Sequence, residues 1–135
     1  MGYYHFLLDD LAKSLTAISL PWGNYHYNRL PMGIMTAVDI FQREMSILFH
    51  DMPFVKIYLD DILIISYNNV LDHLDKLAQA LQRLLEANLK VKIQKCEFLQ
   101  KEVEYLGFNI SNKGIYPIKE KIDGIVNLSP PTSRK

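Results

Sequence analysis

Two adjacent aspartates, Asp60 and Asp61, interrupt an apolar, β-branched run, Phe54-Val-Lys-Ile-Tyr-Leu-Asp-Asp-Ile-Leu-Ile-Ile-Ser66. The flanking segments read as buried strands, so the chain must double back between them and carry both carboxylates at the tip of a tight hairpin. Like charges side by side are unfavourable unless water or a cation screens them. Two readings follow. The pair can serve the turn alone, since Asp favours turns. Alternatively it holds a divalent metal: Mg²⁺ takes hard oxygen ligands, usually one or two carboxylates plus substrate phosphates, and paired metals support in-line displacement at phosphorus.

A chain of 135 residues is long enough for one domain with a real core and too short for two. Its 49% hydrophobic and 22% charged residues are globular proportions and exclude a disordered chain. No stretch reaches the roughly 18 apolar residues of a membrane helix, and residues 1–10 lack the basic start of a signal peptide. The single cysteine, Cys96, excludes an internal disulfide framework and a cysteine zinc cluster, and reads as a small core residue. Formal net charge is zero, yet residues 1–89 carry 6 Lys or Arg against 10 Asp or Glu, and residues 90–135 carry 9 against 5. The basic C-terminal third can face phosphates or present a solvated lysine surface.

Leu15–Leu20 reads as a strand, Pro21-Trp-Gly23 as its turn and Tyr25–Asn28 as the returning arm. Pro31 and Gly33 break the chain before a helix from about Thr36 to Phe49, with Ile40, Phe41, Met45 and Leu48 on one stripe. A second helix follows Asn69. Its apolar stripe is Val70, Leu74, Leu77, Leu81, Leu84 and Leu85, with Asn88 as a left-handed stop. Lys90–Ile93, Cys96–Leu99 and Val103–Ile110 read as short strands, Asn112-Lys-Gly114 as a turn, Lys119–Leu128 as a last helix and Ser129–Ser133 as a linker. The order ββαββαβββ, with helices on one face of an antiparallel sheet, makes an α+β class.

Leu30-Pro-Met-Gly-Ile-Met-Thr-Ala-Val-Asp-Ile-Phe-Gln42, Tyr58-Leu-Asp-Asp61, Leu89–Phe98 and Tyr105-Leu-Gly107 stand in the order and spacing of a reverse transcriptase palm. The chain most resembles the gypsy-type retrotransposon polymerases along essentially its whole length. The resemblance implies RNA-directed DNA polymerisation with Mg²⁺ or Mn²⁺, deoxynucleoside triphosphates, an RNA template and a DNA primer. It implies a palm core over residues 1–112 and the start of a connection segment over 113–135, with truncated fingers and no thumb. A cytoplasmic location, within virus-like particles, and association with other polyprotein parts follow from the same likeness, with no membrane partner.

Carried over residue by residue, Asp60 matches a metal ligand and Asp61 its less directly coordinating neighbour. Tyr3 matches the aromatic that stacks beneath the deoxyribose and excludes a 2′-hydroxyl. Met32 stands where retroviral relatives place a glutamine against the nucleotide, and reads equally as core filler. Gly33 lets the backbone approach the nucleotide, and Tyr58 completes the nucleotide-binding set. Tyr105, Leu106 and Gly107 resemble the primer grip. Lys92 or Lys95 matches a position near the leaving pyrophosphate, and both more readily read as surface lysines. Gln42, one helix stripe from the site, reads as structural. The family's first catalytic aspartate, five residues before the gate aromatic, would fall before Met1, and Asp9 and Asp10 stand too late in the chain to replace it. The alternative is therefore an inactive remnant that binds nucleic acid or assembles with other polyprotein parts.

Overall fold

Ala37, Phe41 and Met45 recur every four residues, so a helix that carries them presents one continuous apolar stripe. In a computed structural model that describes residues 2–128, this stripe is buried along the second helix. The elements in chain order are α1 (Asp10–Leu15), β1 (Ile18–Leu20), β2 (Gly23–Tyr25), α2 (Ala37–Leu48), β3 (Val55–Tyr58), β4 (Asp61–Ile64), α3 (Val70–Glu86), β5 (Glu102–Tyr105), β6 (Phe108–Ser111), β7 (Gly114–Pro117) and α4 (Lys119–Val126). Short 3₁₀ turns cover Tyr3–His5 and Ile93–Lys95. The class is α+β, and the strands pair antiparallel within three small sheets, β1-β2, β3-β4 and β5-β6-β7.

The chain divides into two compact units between Val91 and Lys92. Among the described residues, the buried apolar side chains all belong to the first unit, where α2 meets Leu30, Phe49, Val55, Ala80 and Leu84. The boundary expected after residue 112 falls in the turn between β6 and β7, inside one sheet. The linker expected at Ser129–Ser133 lies outside the described residues.

Helix α3 starts and stops on the residues that sequence chemistry favours. Asn69 caps its first turn by accepting from Asp72 N–H at 2.9 Å. Asn88 takes φ 55°, Asn88 N–H donates to Leu85 C=O at 2.9 Å and Leu89 N–H to Leu84 C=O at 2.8 Å. That bond pair is a Schellman stop. The apolar stripe is rotated from the expected one. Ala80 and Leu84 are buried, whereas Val70, Leu74, Leu81 and Leu85 are exposed. Arg83 sets this rotation: its guanidinium donates to Leu48 C=O at 2.6 Å and to both Asp51 carboxylate oxygens at 2.8 and 2.9 Å. Lashed so to the end of α2, the helix packs through Ala80 and Leu84 rather than through Val70, Leu74, Leu81 and Leu85.

Hydrogen bonding from Arg83 holds the Asp51 carboxyl down at about 2, below its ordinary 3.8. A carboxylate whose folded pKa is depressed contributes stability above its unfolded pKa and loses it as pH falls through the folded value. Stability should thus decline between about pH 4 and about pH 2 as this group protonates. Asp51→Asn should flatten that part of the profile, which urea midpoints at several pH values would read.

Five expected strands take other forms. Leu15 ends α1, and only Ile18–Leu20 is extended, because Asp9 caps a helix by accepting from Ala12 N–H at 2.7 Å. The returning arm is Gly23–Tyr25 rather than Tyr25–Asn28. Lys90–Ile93 and Cys96–Leu99 find no strand partner, and the chain between them closes a 3₁₀ turn with Cys96 N–H on Ile93 C=O at 3.0 Å. Val103–Ile110 is a hairpin, β5 and β6, folded at Leu106-Gly107. Its third strand, β7, carries Gly114–Pro117.

Candidate active site

The β3–β4 hairpin closes on a two-residue turn. Tyr58 pairs with Asp61, so Leu59 and Asp60 form the tip and Asp61 opens β4. Both aspartates are exposed, as a hydrated carboxylate requires. The strands are half-buried rather than fully buried: Val55 enters the core, and Ile57, Ile62 and Ile64 pack against it. Leu59 takes φ 53°, a left-handed conformation uncommon for a residue with a branched side chain.

Helix α2 reaches this tip through Gln42. Its Oε1 accepts from Leu59 N–H at 2.7 Å, and its Nε2 donates to Ile57 C=O at 3.3 Å. The residue before it, Phe41, faces the N-terminal segment, with ring centroids 5.2 Å from Tyr3 and 6.2 Å from Phe6. Consecutive residues of one helix thus join the Tyr3 turn and the aspartate turn to the same support. The sequence read Gln42 as structural but did not disclose this contact with the turn. The signal available was a polar pair, Gln42 and Ser46, flanking the apolar stripe.

Tyr3 lies in a 3₁₀ turn and is 8% exposed. Met32 is exposed. Gly33 takes φ 96°, which favours glycine, and nothing lies within 4 Å of where a Cβ would stand. Both line an open cleft of about 320 Å³ with Leu15, Ile18, Tyr27 and Pro31. Tyr58, at the end of β3, is exposed.

The remaining expected residues belong to the second unit. Leu106 (φ 53°) and Gly107 (φ 79°) make the β5–β6 turn, flanked by Tyr105 paired with Phe108. Positive φ at both turn positions suits Asn-Gly, so Leu106 is a second branched residue held left-handed at a hairpin tip. Lys92 and Lys95 are both exposed at the ends of the short 3₁₀ turn, and their surroundings do not distinguish them. Cys96 is half-buried, its Sγ 3.4 Å from Lys92 C=O.

Asp9, Asp10 and Asp72 are engaged elsewhere. Asp9 caps α1, and Asp10 pairs with Lys13 at 2.9 Å, which holds its carboxyl below the ordinary value. Asp72 pairs with Lys76 at 2.9 Å with the same effect. Among the described residues, no three or more His, Cys, Asp or Glu side chains gather as a metal cage. Two exposed neighbouring carboxylates fit a cation whose remaining ligands come from substrate phosphates and water.

The family model for "Reverse transcriptase (RNA-dependent DNA polymerase)" matches residues 1–110. The chain is 36% identical over 136 residues to the retrovirus-related Pol polyprotein from transposon 297 of Drosophila melanogaster, covering 99% of this chain and 13% of that protein. It is 33% identical over 132 residues to the corresponding polyprotein from transposon gypsy of the same organism, covering 96% and 13%. Among solved structures, the foamy viral protease-reverse transcriptase in complex with dsDNA superposes with a TM-score of 0.82 at 29% identity, over 96% of this chain and 27% of that one. The same enzyme in complex with RNA/DNA hybrid gives 0.80 at 29%, over 96% and 18%. The chain therefore spans about an eighth of the polyproteins that it resembles.

Proposed function

The chain belongs to the reverse transcriptase family, in the branch of gypsy-type retrotransposons, and from that premise we propose that it forms the palm core of an RNA-directed DNA polymerase. The observation that carries the reading is the hairpin: two exposed aspartates at the end of half-buried strands, in a turn buttressed from the neighbouring helix. Residues 1–112 supply the palm core and 113–135 begin the connection segment. The partners are an RNA template, a DNA primer, deoxynucleoside triphosphates and the other parts of a polyprotein, in the cytoplasm and within virus-like particles.

Asp60 and Asp61 would hold Mg²⁺ or Mn²⁺, which when bound supplies charge neutralisation at the reacting phosphate. Catalysis of phosphoryl transfer is largely positioning and electrostatic stabilisation, and this chain's contribution is geometric. Tyr3, fixed on Phe41, would stack beneath the deoxyribose and exclude a 2′-hydroxyl. Met32, Gly33 and Tyr58 border the nucleotide, with the open space at Gly33 admitting close approach to the backbone. Tyr105, Leu106 and Gly107 grip the primer from a turn whose backbone is fixed by its pairing. Lys92 or Lys95 stands near the pyrophosphate.

Primer extension tests the reading. A polypeptide that carries this chain within the full reverse transcriptase length of its relatives should extend a DNA primer on an RNA template, with an absolute requirement for Mg²⁺ or Mn²⁺. Retention of salt-sensitive RNA binding without extension would instead identify an inactive nucleic-acid-binding remnant.

A further inference from the structure

The outer edge of β3 presents backbone groups that β4 cannot satisfy. Phe54 C=O accepts from Ile65 N–H at 2.9 Å, and Tyr58 pairs with Asp61 at the turn. Bonded and non-bonded pairs alternate along an antiparallel ladder, so Ile57, between bonded positions, turns its C=O away from β4. Leu59 N–H, two residues on, lies along the same edge. Gln42 meets both, with Oε1 on Leu59 N–H at 2.7 Å and Nε2 on Ile57 C=O at 3.3 Å. Its side-chain amide occupies the place that a peptide group of a neighbouring strand would take.

The second donor of that amide is also used. Nε2 donates to Ser46 Oγ at 3.2 Å, and the Ser46 hydroxyl donates to Gln42 C=O at 2.8 Å. The amide supplies the two donors and the acceptor that these three partners take. Helix α2 is itself fixed by Ala37, Phe41 and Met45 in the core. The contact falls on Leu59, the residue held at φ 53° immediately before Asp60. A backbone conformation disfavoured for leucine persists only where its surroundings enforce it.

We infer that Gln42 is a positioning residue: by accepting from Leu59 N–H it keeps the turn left-handed and fixes where Asp60 and Asp61 stand for a divalent cation. The inference rests on reading the hairpin as the metal site. It assigns to one helix side chain the coupling between the packed core and the exposed carboxylates.

Two variants separate this role from general stability. Gln42→Met keeps length and volume but removes every hydrogen bond, whereas Gln42→Glu retains an acceptor for Leu59 N–H. Amide hydrogen exchange at single-residue resolution and Mn²⁺ titration, followed by the electron paramagnetic resonance of the free ion, read the two halves. Gln42→Met should speed Leu59 exchange by about tenfold or more while leaving the Ala80 and Leu84 amides unchanged, and should weaken Mn²⁺ binding by about tenfold. Gln42→Glu should leave Leu59 slow and Mn²⁺ binding no weaker. Equal Leu59 exchange in wild type and Gln42→Met, or equal Mn²⁺ affinity despite faster exchange, overturns the inference. So does a Gln42→Glu protein that behaves as Gln42→Met does. If wild-type Mn²⁺ binding proves insensitive to Asp60→Asn, the metal reading fails, and the Leu59 exchange pattern alone decides the role of Gln42.

Discussion

Asp60→Asn, in a polypeptide competent for primer extension, is expected to slow single-nucleotide incorporation by at least about a hundred- to a thousandfold. Asparagine keeps the size of the side chain and one acceptor oxygen, so the turn should survive, but it removes the charge that a divalent cation requires. Asp61→Asn should produce a loss of the same order, since Asp61 opens β4 one residue further on. Asp72→Asn is the control. Its carboxylate is already engaged by Lys76 on α3, and the rate should stay within about twofold, as for a surface substitution away from the reacting groups. Rapid-quench measurement at saturating Mg²⁺ isolates the chemical step. Incorporation by Asp60→Asn within about tenfold of wild type would remove the hairpin from the metal site, because a lost charge at the reacting phosphate costs more than that.

The hairpin and the two long helices were legible because each is specified locally. Two like charges between apolar runs leave few alternatives to a tip, and the Asn69 cap, the Asn88 stop and the stripe through Phe41 and Met45 are short-range signals. What stayed hidden depends on partners distant in sequence. Lys90–Ile93 and Cys96–Leu99 have strand-like composition but no neighbour to pair with, and β-propensity counts only where a strand packs. Leu106 conceals a turn because leucine is rarely placed at positive φ, although Gly107 beside it marked the break. The face that α3 buries was decided by Arg83 reaching Leu48 and Asp51, over thirty residues away. Gln42 escaped for the same reason: its partners lie 15 and 17 residues further on, on a strand edge that exists only after folding.

Phe41→Ala is expected to be the most destabilising single change in the first unit, at about 3–5 kcal/mol, the range for truncating a buried aromatic. Phe41 is 6% exposed and lies at the centre of the α2 stripe. The loss combines apolar burial with a cavity that neighbours fixed on the helix cannot fill. It also removes the aromatic contacts to Tyr3 and Phe6, each worth about 0.5–1.5 kcal/mol beyond area. A typical domain has only about 5–15 kcal/mol in hand, so a large part of the protein should unfold at modest denaturant. Phe41→Leu keeps most of the volume and loses only the ring geometry, so it should cost less while still loosening Tyr3. Urea unfolding followed by tyrosine fluorescence gives the stabilities. Deoxy- versus ribonucleotide discrimination in the extension assay gives the functional consequence, because on the proposed role of Tyr3 a ring freed from Phe41 would no longer stand fixed beneath the sugar. Selectivity against ribonucleotides should then fall in Phe41→Leu even where the protein remains folded. If selectivity holds while stability drops, the Tyr3–Phe41 contact serves packing alone, and the sugar must be read by another residue.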